Sequence, residues 1–152
     1  MMKKTHLAVG FAVALYFLPH VNDKIFFIPL VLIASLLPDI DSAFSAVGSK
    51  SIFRPIQWIF SHRGVIHSYT FAIFISLVVA IFYPVVALPI FLGYSFHLLL
   101  DSFTPMGIKP FWPFKAVSKG VVKSGGKVDD VLYVVFLFID VVLAILFLVQ
   151  MF

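Results

Sequence analysis

The 152-residue chain is 62% hydrophobic and only 12% charged, and its mean hydropathy of +1.10 lies far outside the range of soluble globular domains. The formal net charge of +4 does not indicate a nucleic-acid partner, because we read the lysines as lying between apolar runs, without an aromatic-interleaved stripe. The absence of cysteine excludes disulfides, and leaves His, Asp and other oxygen atoms to build any metal site. These values predict an integral membrane protein.

Apolar segments in chain order predict an all-α, polytopic membrane bundle of about five helices, and a single domain covering residues 1–152. The first two are short for a span of about 20 residues, so we expect them to tilt or to lie in a thinned bilayer. Pro84 and Pro89 are expected to mark a hairpin between the third and fourth segments. The five segments are 6–18, 25–38, 65–83, 85–100 and 131–152.

The N-terminus superficially resembles a signal peptide, but we expect no cleavage because the small-x-small match Ala12-Val13-Ala14 comes too early. If all five segments cross the membrane, ten of the eleven Lys and Arg residues lie on one side, and only Lys24 lies on the other. The positive-inside rule then predicts a multi-pass membrane protein with its N-terminus in the cytoplasm and its C-terminus outside.

Histidines and aspartates converge on the cytoplasmic side of this predicted topology, at the helix ends. Only His20 and Asp23 fall at the outer ends. Ionisable groups near hydrocarbon are costly unless they are paired or functional, so their convergence predicts a shared metal site. The seven predicted ligands are His6, Asp39, Asp41, His62, His67, His97 and Asp101.

Local spacings favour the same interpretation. His97 and Asp101 are four residues apart, which places both side chains on one helix face. Pro38 disfavours a continuing helix, so the Asp-x-Asp that follows it is expected in a turn where one carboxylate could bridge two ions. His62 and His67 are five apart and would not share a helix face, but Gly64 allows a bend that could bring them together.

Each of these residues also has a simpler explanation when taken alone. His6 could be an interfacial residue, and the aspartates after Pro38 could be ordinary helix-end or turn carboxylates. His97 and Asp101 could form a buried hydrogen-bonded pair, and Arg63 could serve only as a topology charge. The metal-site prediction therefore depends on the complete set.

The motifs "THLAVG", "LLPDIDS", "HRGVIHS" and "HLLLDSFTPMGI" closely resemble the membrane-bound metal-dependent hydrolase family, inner-membrane proteins sometimes labelled LexA-binding. The resemblance covers about residues 5 to 112, and it implies metal or catalytic roles for the seven predicted ligands. The pattern is similar, more distantly, to zinc-dependent phospholipase C and its related single-strand nucleases, which implies phosphoester chemistry. Nothing in the sequence resembles a DNA-reading surface.

Taken together, the ligand set and the resemblance predict a hydrolase with two or three divalent transition ions, zinc first, with manganese or iron as alternatives. Such ions would acidify a bound water and stabilise a phosphoryl transition state. We assign catalytic roles to Asp41, His62 and Arg63, with Arg63 holding a phosphate oxygen. The position at the lipid–water boundary favours a lipid-linked phosphoester substrate. The hydroxyls expected to support the ligands are those of Ser68, Ser102 and Thr104.

Two other functions remain open at this stage. Asp140 lies inside the last apolar segment and could belong to a metal or proton transport path. The cluster could also stabilise a catalytically inactive membrane protein. The sequence leaves the substrate, the identity and number of the ions, and the oligomeric state undetermined.

Overall fold

The computed structural model describes residues 1–41 and 64–151, without the side chains of Asp41 and Met151. The described residues form no strand, and only an isolated bridge pairs Ile108 with Ser118. The all-α prediction is therefore confirmed, with five α-helices in the described part of the chain. These are α1 (Lys3–Phe17), α2 (Lys24–Ala34), α3 (Tyr69–Phe82), α4 (Pro84–Ser102) and α5 (Lys127–Met151).

Helix length and composition divide these elements into two groups. Both α4, with 19 residues, and α5, with 25, are long and apolar enough to cross a membrane. The first two helices are short, as predicted, with 15 residues in α1 and 11 in α2. Only 6% of the most apolar window of α5 is buried within the protein, so most of that helix surface is available to lipid.

The helices pack around α4, which contacts α1, α2 and α3, while α1 also lies against α2 and α5. Small residues allow close approach between helices, as in other membrane bundles. A Cβ atom added to Gly93 of α4 would lie 2.3 Å from the Val31 carbonyl oxygen and 2.7 Å from the Ala34 Cβ in α2. The absence of a side chain at Gly93 therefore sets the separation of α2 and α4.

We expect Gly93→Ala to destabilise the protein by about 1–3 kcal/mol, the usual cost of overpacking, because the added atom meets main chain that cannot rotate away. Thermal unfolding in detergent measures the effect. The matched control is Gly10→Ala, whose added Cβ would meet the Ser35 side chain at 3.0 Å and should cost less. Equal melting temperatures for Gly93→Ala and the wild type would contradict this account of the interface.

The helices begin and end within four residues of the predicted segments, and α5 begins at Lys127, four residues before the predicted start at 131. The third helix begins at Tyr69 instead of residue 65, because the Ser68 side chain accepts a hydrogen bond from the Phe71 N–H and caps the helix there. Pro84 occupies the first turn of α4, as expected at a hairpin, but Pro89 lies inside α4. The prediction that Pro89 marks the hairpin was wrong, since membrane helices tolerate internal proline where neighbouring groups compensate.

Short 3₁₀ turns follow the first two helices, at Leu18–His20 and Leu37–Asp41. The second turn contains Pro38, as the sequence predicts for a segment where the regular helix cannot continue. It brings Asp39 beside α4, at the end of the bundle where α1 and α5 begin and α4 ends.

Candidate metal centre

Five of the predicted ligands lie in the described residues, and separate elements bring them together. His6 comes from the first turn of α1, and Asp39 from the 3₁₀ turn after α2. His67 lies just before α3, and His97 with Asp101 lies in the last turns of α4. All three imidazoles and Asp101 are buried, and the Asp39 side chain is 17% exposed. The side chain of Asp41, together with His62 and Arg63, lies outside the described part.

Asp101 lies at the centre of the cluster, with its two oxygens facing different partners. Its Oδ1 is 3.4 Å from His6 Nε2, and its Oδ2 is 3.8 Å from His67 Nε2 and 3.9 Å from His97 Nε2. The amino group of Met1 also contacts Oδ1. One carboxylate thus lies close to all three histidines, with Oδ1 nearest His6 and Oδ2 near His67 and His97.

His97 connects the remaining residues. Its Nε2 is 3.8 Å from Asp39 Oδ1, and its ring stacks on His6 with 3.9 Å between centroids and 12° between planes. The His67 ring lies edge-on to His97 at 5.6 Å. Two triads have potential ligand atoms within 4.8 Å of one another, namely His6, His97 and Asp101, and Asp39, His67 and His97.

The tautomer of His97 follows from its hydrogen bond. Its Nδ1 lies 2.7 Å from the Ser35 carbonyl oxygen. A carbonyl can only accept, so Nδ1 carries the proton and Nε2 presents its lone pair to the cluster. A backbone carbonyl oriented in this way is the usual support of a metal-binding histidine.

Several buried nitrogens in the cluster lack a conventional hydrogen bond. Neither ring nitrogen of His6, nor Nε2 of His97, has such a partner among the described residues. The 3.4 Å from His6 Nε2 to Asp101 exceeds the usual hydrogen-bond range. Buried polar atoms left in this state are costly, and a bound cation would satisfy the nitrogen of each ring that carries the lone pair.

Burial of the two carboxylates gives an electrostatic reason for a cation to bind in the cluster. Burial raises the pKa of the Asp39 carboxyl above its ordinary value, while the nearby His6 acts in the opposite direction. Asp101 is already in contact with one positive group, the Met1 ammonium. Two carboxylates among three imidazoles form a donor set suited to zinc, manganese or iron(II). These residues therefore fit a divalent transition metal ion.

The profile of the YdjM inner membrane protein family matches residues 1–151 of the chain. The chain belongs to the YdjM inner membrane protein family. The "Inner membrane protein YdjM" of Escherichia coli (strain K12) is 38% identical over 95 residues, covering 57% of this chain and 48% of the relative. The protein of the same name from Shigella flexneri gives the same values. The "Uncharacterized protein YvsG" of Bacillus subtilis (strain 168) is 28% identical over 120 residues, covering 74% of each chain.

This YdjM-family chain spans about half the length of the two YdjM proteins, at 48% of each. No solved structure matches it. Membership of an inner membrane family agrees with the predicted membrane location. The names of these relatives mention neither a hydrolase nor a phospholipase C, so the comparisons do not support that resemblance.

Sequence reasoning did not identify the residues that hold α1 in place. Asp129, at the start of α5 and fully buried, accepts hydrogen bonds from Thr5 Oγ1 at 2.6 Å and from the N–H groups of Met2 at 3.0 Å and Gly125 at 2.8 Å. Thr5 immediately precedes His6, so this carboxylate positions the His6 end of the cluster. Acidic residues are common in the first turn of a helix, so residue type alone does not indicate this contact.

Removing this anchor is expected to loosen the first turn of α1. We expect Asp129→Ala to cost about 1–3 kcal/mol, because it leaves buried donors unsatisfied, and to increase amide exchange at residues 2 to 6. Asp130→Ala is the matched control, since Asp130 is exposed and its carboxylate pairs with the Lys4 ammonium at 2.6 Å. Hydrogen exchange read by mass spectrometry checks the result, and equal exchange in both variants would contradict it.

The hydroxyls expected to support the ligands have other partners. Ser68 Oγ donates to the Val65 carbonyl, and Ser102 Oγ donates to the Leu99 carbonyl. Thr104 Oγ1 donates to the main-chain carbonyl of Asp101. In the described part of the chain the three hydroxyls donate to main-chain carbonyls, so their role as supporting donors for the ligands stays a prediction. The Ser35 carbonyl instead supports His97.

Asp140 lies apart from the metal-ligand cluster. It follows Asp129 by eleven residues on α5, which is about 16 Å along the helix axis. Its side chain is buried, and Oδ1 has no hydrogen-bond partner among the described residues. It lines an open groove with Lys4 and Tyr133. The structure therefore places Asp140 outside the five-residue cluster.

Proposed function

We propose that this YdjM-family chain is a membrane metal-dependent hydrolase that cleaves a phosphoester at the cytoplasmic face. The observation that carries the proposal is the convergence of three buried imidazoles and two carboxylates around Asp101 and His97. Burying these ionisable groups at the end of a membrane bundle costs free energy unless they are paired or bind a ligand.

The described residues favour a particular division of ligands. His97 offers one lone pair, because its Nδ1 donates to Ser35, so the two triads that share His97 cannot each use it for a separate ion. Asp101 has the geometry of a bridging carboxylate instead, with Oδ1 toward His6 and Oδ2 toward His67 and His97. We propose one ion at the His67–His97–Asp39 side and a second at His6.

The second ion would need further ligands, and Asp41 and His62 are our proposals for them. Both lie outside the described residues or have undescribed side chains. In this division Asp101 would bridge the ions, whereas the sequence alone suggested one carboxylate of the Asp-x-Asp for that role. Zinc is the first choice, with manganese or iron(II) as alternatives.

When bound, a divalent ion supplies a Lewis acid and lowers the pKa of a coordinated water toward about 7. The protein's contribution is to fix the donors. The Ser35 carbonyl holds the His97 ring, Asp129 anchors the α1 turn that carries His6, and burial excludes bulk water from the three imidazoles. Arg63 remains our proposal for contacting a non-bridging phosphate oxygen.

The substrate class follows from location. The cluster lies at the end of α4, a helix long enough to span the bilayer, so a phosphate carried on a lipid would lie near it at the membrane surface. We propose a cytoplasmic N-terminus and a multi-pass topology, because ten of the eleven positive residues lie on one side of the five-segment arrangement. A phospholipid or prenyl phosphate is therefore preferred over a soluble metabolite.

The deciding experiment measures phosphate release by detergent-purified protein from phospholipids, prenyl phosphates and generic phosphoesters, before and after chelation. We expect turnover that requires metal and no gradient across a membrane. His20→Ala is a matched control, because His20 is exposed in the turn after α1 and lies outside the cluster. Ion flux in vesicles that is lost in Asp140→Asn, with no metal-dependent cleavage, would replace the hydrolase proposal with a transporter. Bound metal without any cleavage would indicate a structural site.

A further inference from the structure

The connection between α4 and α5 carries a dense set of lysines and exposed aromatic rings. Its four lysines, at positions 109, 115, 119 and 123, are exposed, as is Lys127 at the start of α5, and no acidic residue occurs between Ser102 and Val128. Between the first two lysines lie Phe111, Trp112 and Phe114, which are 60%, 42% and 72% exposed. We call residues 109–119 the aromatic–lysine loop. It is a basic stretch interleaved with aromatic residues. The expectation that the lysines form no such stripe was therefore wrong for this loop.

Backbone hydrogen bonds give this connection a defined position. The Tyr69 N–H at the start of α3 donates to the Pro110 carbonyl at 2.8 Å. Ile108 and Ser118 exchange two backbone hydrogen bonds of 2.9 Å, and the Ile108 side chain is buried. The Val122 N–H donates to the Phe103 carbonyl at 2.9 Å, directly after α4. The aromatic rings are therefore displayed from a fixed backbone.

The position of the loop relative to the helices suggests what covers it. The loop is tied to the first residue of α3 and to the residues that follow α4, and it leads into α5. Both α4 and α5 are long and apolar enough to span a bilayer, so the loop lies where such helices leave the hydrocarbon. Tryptophan and other aromatic residues concentrate at that depth, and lysines there attract anionic lipid head groups.

We propose that the aromatic–lysine loop is a binding surface for anionic phospholipids, with its aromatic rings at the acyl boundary and its lysines on lipid phosphates. Charge complementarity selects this ligand, because the stretch is purely cationic while the membrane surface supplies phosphate. A nucleic acid would need the rings to stack on bases in water, away from the adjoining helix ends. The proposal does not depend on hydrolase activity.

Trp112 provides an intrinsic probe of the proposal. The chain has two tryptophans, so the difference between the wild type and Trp112→Phe isolates the Trp112 signal. Full-length protein is placed in nanodiscs of phosphatidylglycerol or phosphatidylcholine that carry bromine at a shallow or a deep acyl position. We expect blue-shifted Trp112 emission, quenched more than twofold by shallow bromine and less by deep bromine. Trp112 emission quenched by aqueous iodide and not by bromine would overturn the proposal, as would shielding from both quenchers, which indicates a protein contact.

The charge component is tested separately. A variant with Lys109, Lys115, Lys119 and Lys123 changed to Gln should lose the extra thermal stabilisation that phosphatidylglycerol gives the wild type over phosphatidylcholine. A matched Lys24→Gln variant should keep it, because Lys24 starts α2, away from the loop. Equal responses of the four-lysine variant and the wild type would overturn the lipid-phosphate assignment. Saturable, loop-dependent binding of fluorescent single-stranded DNA to the nanodisc-held protein would also overturn it.

Discussion

Asp101→Asn is expected to reduce metal-dependent phosphoester cleavage by about a hundredfold or more. Asp101 approaches all three histidines of the cluster and is the proposed bridge between two ions. An amide oxygen carries no charge and the amide nitrogen cannot ligate, so bridging is lost while the side-chain volume is unchanged. Mutating a group that only supports a metal ligand typically lowers metal affinity or activity about 10- to 100-fold. Loss of the bridging ligand itself should therefore lower activity by about 100-fold or more. Steady-state rates with saturating zinc measure the effect.

The control for this variant is Asp23→Asn, at the opposite end of the protein beside α2 and exposed. It removes the same charge from the chain and should retain full activity. Thermal unfolding without added metal should show that Asp101→Asn is folded. A folded Asp101→Asn variant that retains wild-type turnover would remove Asp101 from the proposed site.

His97→Ala is expected to abolish the stabilisation of the protein by zinc. Binding to the folded state adds about 2.7 kcal/mol when free metal is 100 times its dissociation constant. For a chain of about 150 residues, that corresponds to a rise in melting temperature of about 5–10 °C in the wild type. The His97 variant should show almost no rise, because its Nε2 lies 3.8 Å from Asp39 Oδ1 and 3.9 Å from Asp101 Oδ2, at the centre of the proposed ligand set.

The metal-dependent shift is the relevant quantity here, since loss of a buried ring also lowers the melting temperature of the apo protein. His20→Ala is the control, as an exposed histidine outside the cluster, and should shift as the wild type does. Equal zinc-dependent shifts in the His97 and His20 variants would show that zinc binds elsewhere.

Much of the fold could be predicted from the sequence because apolar length and proline position act locally. The apolar runs predicted five helices, and Pro38 predicted the turn that carries Asp39. The start of α3 was predicted four residues early, because Val65 and Ile66 extend the apolar run although they precede the Ser68 cap. Pro89 was misplaced because its effect depends on neighbouring helices that a local pattern does not contain.

For the candidate site, residue type and helix-end position were informative. His97 and Asp101 share a face, as their four-residue spacing predicted, and His6, Asp39 and His67 lie beside them. Their role in metal binding stays a prediction, as do the roles of Asp41, His62 and Arg63. The Ser35 carbonyl and the Asp129 anchor could not be predicted, because both join residues 62 or more positions apart through main-chain or hydroxyl groups.

The measurement that tests the metal site most directly is the metal-to-protein ratio of detergent-purified, zinc-loaded protein after removal of free ions, determined by elemental analysis. The account predicts at least about one zinc per chain in the wild type and in His20→Ala, since the donor set is complete in both. It predicts a sharply lower ratio in Asp101→Asn and in His97→Ala. A wild-type protein that retains no zinc, manganese or iron, or variants that retain as much as the wild type, would contradict the central claim that these buried residues form a metal site.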